Sequence, residues 1–84
     1  MKTIQDLGAA VATRRQAAKL KQGEVAAQAG VTQELLSRFE RGRVSEFGAR
    51  KLLAVLAALG LELQITDAGV SGSLDELRKE RGGP

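Results

Sequence analysis

The sequence contains neither cysteine nor histidine. That removes thiol nucleophiles, imidazole bases, disulfides, zinc fingers and nearly every transition-metal site in one step. No catalytic residue, metal ligand or cofactor is therefore assigned, and an enzyme is not expected. A long hydrophobic run is also missing: the longest, Leu52 to Leu61, has ten residues, about half of the ~20 that a membrane-spanning helix needs. No secretory apolar segment opens the chain. A soluble, cytoplasmic protein with no membrane association is the expectation; the absent cysteine fits a reducing compartment without requiring one.

What is present is short and mildly basic. The 84 residues suit one domain, since about 100 to 200 residues per domain is usual and so small a chain buries only about 60% of its unfolded surface. Thirteen Lys and Arg face ten Asp and Glu, a net charge of +3 that favours anionic partners. The charge is uneven. Residues 1–66 hold ten basic and six acidic side chains, whereas 67–84 hold three and four, with four of the ten glycines and the single proline, Pro84. This divides the chain into a globular body, 1–66, and a flexible C-terminal tail, 67–84.

Helical spacing dominates the body. Ile4, Leu7 and Val11 recur at intervals of three and four, after Thr3 with Asp6 three residues on, close to a capping box. This predicts a first helix from Ile4 to about Ala18. A second starts near Gln22, carries Val25, Ala26 and Ala29 on one face and stops at Gly30. Thr32 caps a third, through Arg41, that buries Leu36 and Phe39 and ends at Gly42. Ser45 caps a fourth, striped by Leu52, Val55, Leu56 and Leu59 and stopped at Gly60. The period then changes to two: Leu61, Leu63 and Ile65 alternate with Glu62, Gln64 and Thr66, the pattern of a half-buried strand that must find something to pair with. The fold class is all-α with one C-terminal β-strand.

The stretch with functional content is Gln22 to Phe39, QGEVAAQAGVTQELLSRF. Two helices crossing at about 90 to 120° through a short turn need a small side chain where their axes approach, which Ala26 supplies. Gly30 supplies the positive φ of the turn, and Val25, Val31, Leu36 and Phe39 bury the contact so that the second helix projects its polar face outward. The same residues, at this spacing, resemble the Xre/Cro family of bacterial and phage DNA-binding domains over about residues 7 to 60. The resemblance implies a lambda-repressor-like helix-turn-helix fold. Charge agrees: residues 14 to 51 carry nine basic side chains against Glu24, Glu34, Glu40 and Glu46, an excess of five around the motif.

In that family the third helix lies in the major groove. Carried over by position, Thr32, Gln33, Glu34, Ser37 and Arg38 are the base-reading residues. Gln33 can pair bidentately with adenine, Arg38 with guanine or a phosphate, and Glu34 can accept from the cytosine amino group; for Glu34 a solvated helix charge is the open alternative. Gln22 and Arg43 resemble the family's phosphate contacts, with a solvated surface charge the alternative for Arg43. Arg15 and Glu40 occupy positions where the family often has a partly buried scaffold ion pair. Gly23 departs from the better helix former usual there, at up to ~1 kcal/mol.

Ser37 to Glu40, SRFE, together with Ala58 to Thr66, ALGLELQIT, is similar to HipB-type antitoxins. This implies a homodimer closed by an intermolecular β-sheet of Leu61, Leu63 and Ile65, binding double-stranded operator DNA and holding a HipA-like serine/threonine kinase toxin inactive while autoregulating its operon. A lone alternating strand pairing with its own copy is also the simplest physical solution. In the tail, Ser73 and Glu76 stand at capping-box spacing, with Leu74 and Leu77 on one side of an eight-residue amphipathic helix to about Arg81 that is too short to stand alone. Two other readings stay open: a stand-alone repressor without a toxin, and a protein-interaction module that no longer reads DNA, against which Gln33 and Arg38 argue.

Overall fold

The computed structural model describes residues 1–68, which form four helices: α1 (Ile4–Ala17), α2 (Gln22–Ala29), α3 (Gln33–Glu40) and α4 (Ala49–Ala58). α1 packs on α3, and α2 packs on both α3 and α4. No helix among the described residues is long and apolar enough to cross a membrane.

Each helix starts where its local chemistry allows. Thr3 accepts the Asp6 N–H at 2.9 Å, while the Asp6 carboxylate reaches back to the Lys2 N–H at 3.2 Å, one residue before the cap. Glu24 accepts the Lys21 N–H at 2.7 Å at the start of α2, and Thr32 accepts the Leu35 N–H at 3.0 Å at the start of α3. These bonds satisfy amide donors that have no partner inside the helix.

All four helices end in the same way. After α2 the Gly30 and Val31 N–H groups turn back to the Ala27 and Ala26 carbonyls, and after α3 those of Gly42 and Arg43 turn back to Phe39 and Arg38. The residue in the middle of this motif must take a positive φ. Gly30 does so at 73° and Gly42 at 72°, but in the motif after α1 the position is filled by Lys19, at φ 60°.

The core contains Val11, Val25, Ala26, Leu36, Phe39, Val44, Val55 and Leu56. Leu52 and Leu59 of the expected α4 stripe flank it half-buried. Two of its features correct the sequence reading of α4. The helix begins at Ala49 after Gly48 rather than behind a Ser45 cap, and Ser45 is exposed. The intervening segment is used for packing: Val44 is buried, and the Phe47 ring stacks on that of Phe39 with centroids 4.1 Å apart and planes 10° from parallel. Burying those two apolar side chains outweighs the gain from a serine cap, about 1 kcal/mol.

The expected strand differs too. Leu61 closes α4 and packs against the core, but residues 61–67 have no regular secondary structure, and Leu63 and Ile65 are 54% and 96% exposed. Among the described residues, no backbone hydrogen bond joins 62–66 to another segment. A strand exists only through the neighbour it bonds to, and the described neighbour of residues 61–64 is α1, whose backbone groups are spent within the helix. The helix expected at Leu74 to Arg81 lies outside the described residues.

Candidate nucleic-acid interface

The candidate interface is the outward face of α3 and the start of α2. On α3, the spacing of 3.6 residues per turn buries Leu36 and Phe39 completely, so Gln33, Glu34 and Arg38 face solvent and Ser37 is half-buried between the two sets. Thr32 is exposed, with its hydroxyl oxygen occupied as the cap. Arg43 is exposed just past the helix, its N–H bonded to the Arg38 carbonyl at 2.8 Å. Gln33 lies against the first turn of α2: a Cβ added at Gly23 would sit 3.4 Å from its side-chain oxygen. The glycine that departs from the family pattern thus leaves the Gln33 side chain room beside α2.

What holds α3 at this angle is a buried polar cluster around Glu40. Arg15 Nε donates to Glu40 Oε2 at 2.7 Å and Arg15 Nη2 to Oε1 at 2.9 Å, a bidentate pair whose side chains are only 12% and 3% exposed. Arg15 Nη1 donates to the Leu20 carbonyl at 2.8 Å, so α1, the turn after it and the end of α3 are tied by one guanidinium. Its planar fork makes this possible; a lysine could not reproduce it. The hydrogen bond to Glu40 and, to a smaller extent, its charge hold the Arg15 guanidinium above its already high ordinary pKa, against the opposing effect of burial. The cation is thus permanent.

Gln22 completes the cluster. Its Nε2 donates to Glu40 Oε1 at 2.9 Å. A carboxylate only accepts, so the amide nitrogen must be the atom that faces it. The side chain expected at a phosphate therefore has an inward task, fastening the first residue of α2 to the last of α3, and keeps one amide hydrogen for anything outside. The family resemblance pointed to Arg15 with Glu40 but gave Gln22 as a phosphate contact, not as the third member. Among the described residues no buried side-chain nitrogen or oxygen lacks a partner.

The two helices α2 and α3, their left-handed turn at Gly30 and the polar face of α3 form a unit that spans the middle of the body. Residues 2–66 match the family model of the helix-turn-helix domain. The chain belongs to the helix-turn-helix family, and is of its Xre/Cro-like kind. A comparison with curated proteins found no match. Within this helix-turn-helix domain α2 is the first helix of the motif and α3 the second, the one that enters the major groove in domains of this class. The exposed residues of α3, Arg38 among them, suit that position, and Gln5 adds a brace: its Nε2 donates to the Val44 carbonyl at 3.2 Å, linking α1 to the segment after α3.

Proposed function

We propose that this domain is a sequence-specific DNA-binding transcriptional repressor that acts as a homodimer. The observation that carries the reading is a helix whose buried side is fully packed and whose other side presents Gln33, Glu34 and Arg38 to solvent, fixed by the Arg15–Glu40–Gln22 cluster. In this reading Thr32, Gln33, Glu34, Ser37 and Arg38 address base edges, and Arg43 with the remaining amide hydrogen of Gln22 addresses phosphates. Phosphate contacts set the register and base contacts carry the sequence information.

Dimerisation belongs to the same proposal. Leu63 and Ile65 are exposed apolar side chains, and among the described residues no backbone hydrogen bond joins 62–66 to another segment; pairing with the same segment of a second copy would remove both costs. Two linked units then reach half-sites about one helical turn, roughly 34 Å, apart. The similarity of Ser37–Glu40 and Ala58–Thr66 to HipB-type antitoxins supports the finer role, neutralising a HipA-like kinase toxin and repressing the shared operon.

Two experiments test this reading. A mobility shift with the DNA upstream of its own coding sequence, in excess nonspecific competitor, is expected to give a discrete retarded complex; retention only of DNA that the competitor removes would overturn it. Sedimentation is expected to show a dimer at tens of micromolar that Leu63→Pro weakens, since proline removes an amide donor from the paired strand. A monomeric parent would remove the dimer from the proposal.

A further inference from the structure

Glu34 is an anion on the face that meets a polyanion. The side chain is exposed one turn before Arg38 on α3, the i, i+4 spacing and order at which a glutamate and an arginine usually attract each other on a helix surface. Here they do not pair. Among the described residues neither side chain makes a hydrogen bond or an ion pair. Both are left available, about 6 Å apart along the helix axis at 1.5 Å per residue.

A free carboxylate in a major groove is selective because it only accepts. Guanine presents two acceptors there and thymine one, and all of them repel it. Adenine offers an amino group, but its N7 acceptor lies alongside. Cytosine offers an amino group with an acceptor on one side only, O6 of its paired guanine, whereas that of adenine is flanked by N7 and by O4 of the paired thymine. A free guanidinium has the opposite preference, for the paired acceptors of guanine.

Building on the repressor reading above, we propose that Glu34 makes α3 select cytosine at one position of its half-site and that Arg38 selects guanine within about two base pairs of it. Glu34 acts mainly by rejection: guanine and thymine offer its carboxylate no amino hydrogen and adenine offers one between two acceptors, so at those bases the carboxylate loses water without a good replacement. An operator half-site with a C at the Glu34 position and a G nearby follows, with any adenine read by Gln33 beside them.

The test is enrichment from a randomised duplex library by the full chain, its Glu34→Gln and Glu34→Ala variants, and Arg38→Gln. The parent is expected to enrich cytosine at one position over other bases by about five- to 150-fold, the range of a good base contact. Glu34→Gln is expected to move that one position from cytosine to adenine, because glutamine offers both a donor and an acceptor, and to leave the rest of the motif intact. Arg38→Gln is expected to lose a guanine elsewhere in the motif. An unchanged motif in Glu34→Gln, with tighter binding to every sequence, overturns the assignment and leaves Glu34 as a charge at the helix start. An unchanged motif in Arg38→Gln with a shallower salt dependence overturns the second half and makes Arg38 a phosphate contact. A parent that enriches no sequence, while unfolding cooperatively, removes the repressor reading itself.

Discussion

Gly8 of α1 lies directly against the backbone carbonyl of Phe39 on α3, so closely that a Cβ there would collide with the oxygen and crowd the carbonyl carbon. The crossing of α1 over α3 is therefore a backbone contact, and it sits beside Glu40, the residue that Arg15 grips from the next turns of α1. Close approach of the two helices and the buried ion pair locate the same end of α3.

Gly8→Ala is expected to destabilise the domain. Alanine recovers about 1 kcal/mol of helix propensity, but overpacking costs about 1 to 3 kcal/mol, and a backbone carbonyl cannot rotate aside as a side chain could. A net loss of up to about 2 kcal/mol lowers the midpoint of thermal unfolding by roughly 4 to 8 °C per kcal/mol in a domain of this size. A raised midpoint would show that the crossing is looser than described.

Glu40→Ala leaves the Arg15 cation buried without its partner and Gln22 without its acceptor. The expected loss is about 3 to 5 kcal/mol, whereas replacing both charges by apolar side chains, Arg15→Met with Glu40→Leu, is expected to cost much less than the single change. Urea denaturation of the three proteins checks the order. Equal losses in the single and double variants would mean that the stranded cation is not the cause.

Gln33→Ala and Arg43→Ala are expected to fail differently. Loss of a bidentate base contact lowers specific affinity by about 1 to 3 kcal/mol and leaves random DNA unaffected. Removal of a phosphate contact weakens both alike and reduces the slope of log affinity against log salt by about one. Binding titrations at several salt concentrations, with operator and random duplex, separate the two. Both positions are exposed, so unfolding midpoints are expected to stay near the parent's.

Lys19→Gly is expected to stabilise the protein. Lys19 holds φ 60° in the turn that closes α1, a conformation that costs an ordinary side chain roughly 1 to 2 kcal/mol. Glycine has no such cost but loses more freedom on folding, about 0.5 to 1 kcal/mol. A gain of about 0.5 to 1 kcal/mol remains, read as a higher thermal midpoint, with Lys19→Ala giving none. If alanine and glycine behave alike, the left-handed backbone is not strained.

The helices and their ends, the start of α4 excepted, were legible in the sequence because they depend on neighbours a few residues away. Thr3, Thr32, Gly30 and Gly42 act through bonds to residues within five positions, and the burial of Val25, Ala26, Leu36 and Phe39 follows from helical periodicity alone. The outward set on α3 follows from the same periodicity. Tertiary structure decided what depends on two distant segments meeting. Phe47 stacks on Phe39 and keeps residues 43–48 out of a helix that Ser45 could have capped. Gln22 turns inward because Glu40, 18 positions away in sequence, arrives beside it with an oxygen to share. Gly8 reads in sequence only as a poor helix former, and its purpose emerges when α3 crosses above it. Local bonds are encoded in spacing; a contact between α1 and α3 exists only after packing has brought both helices to one place, because the chain must first bury its apolar faces.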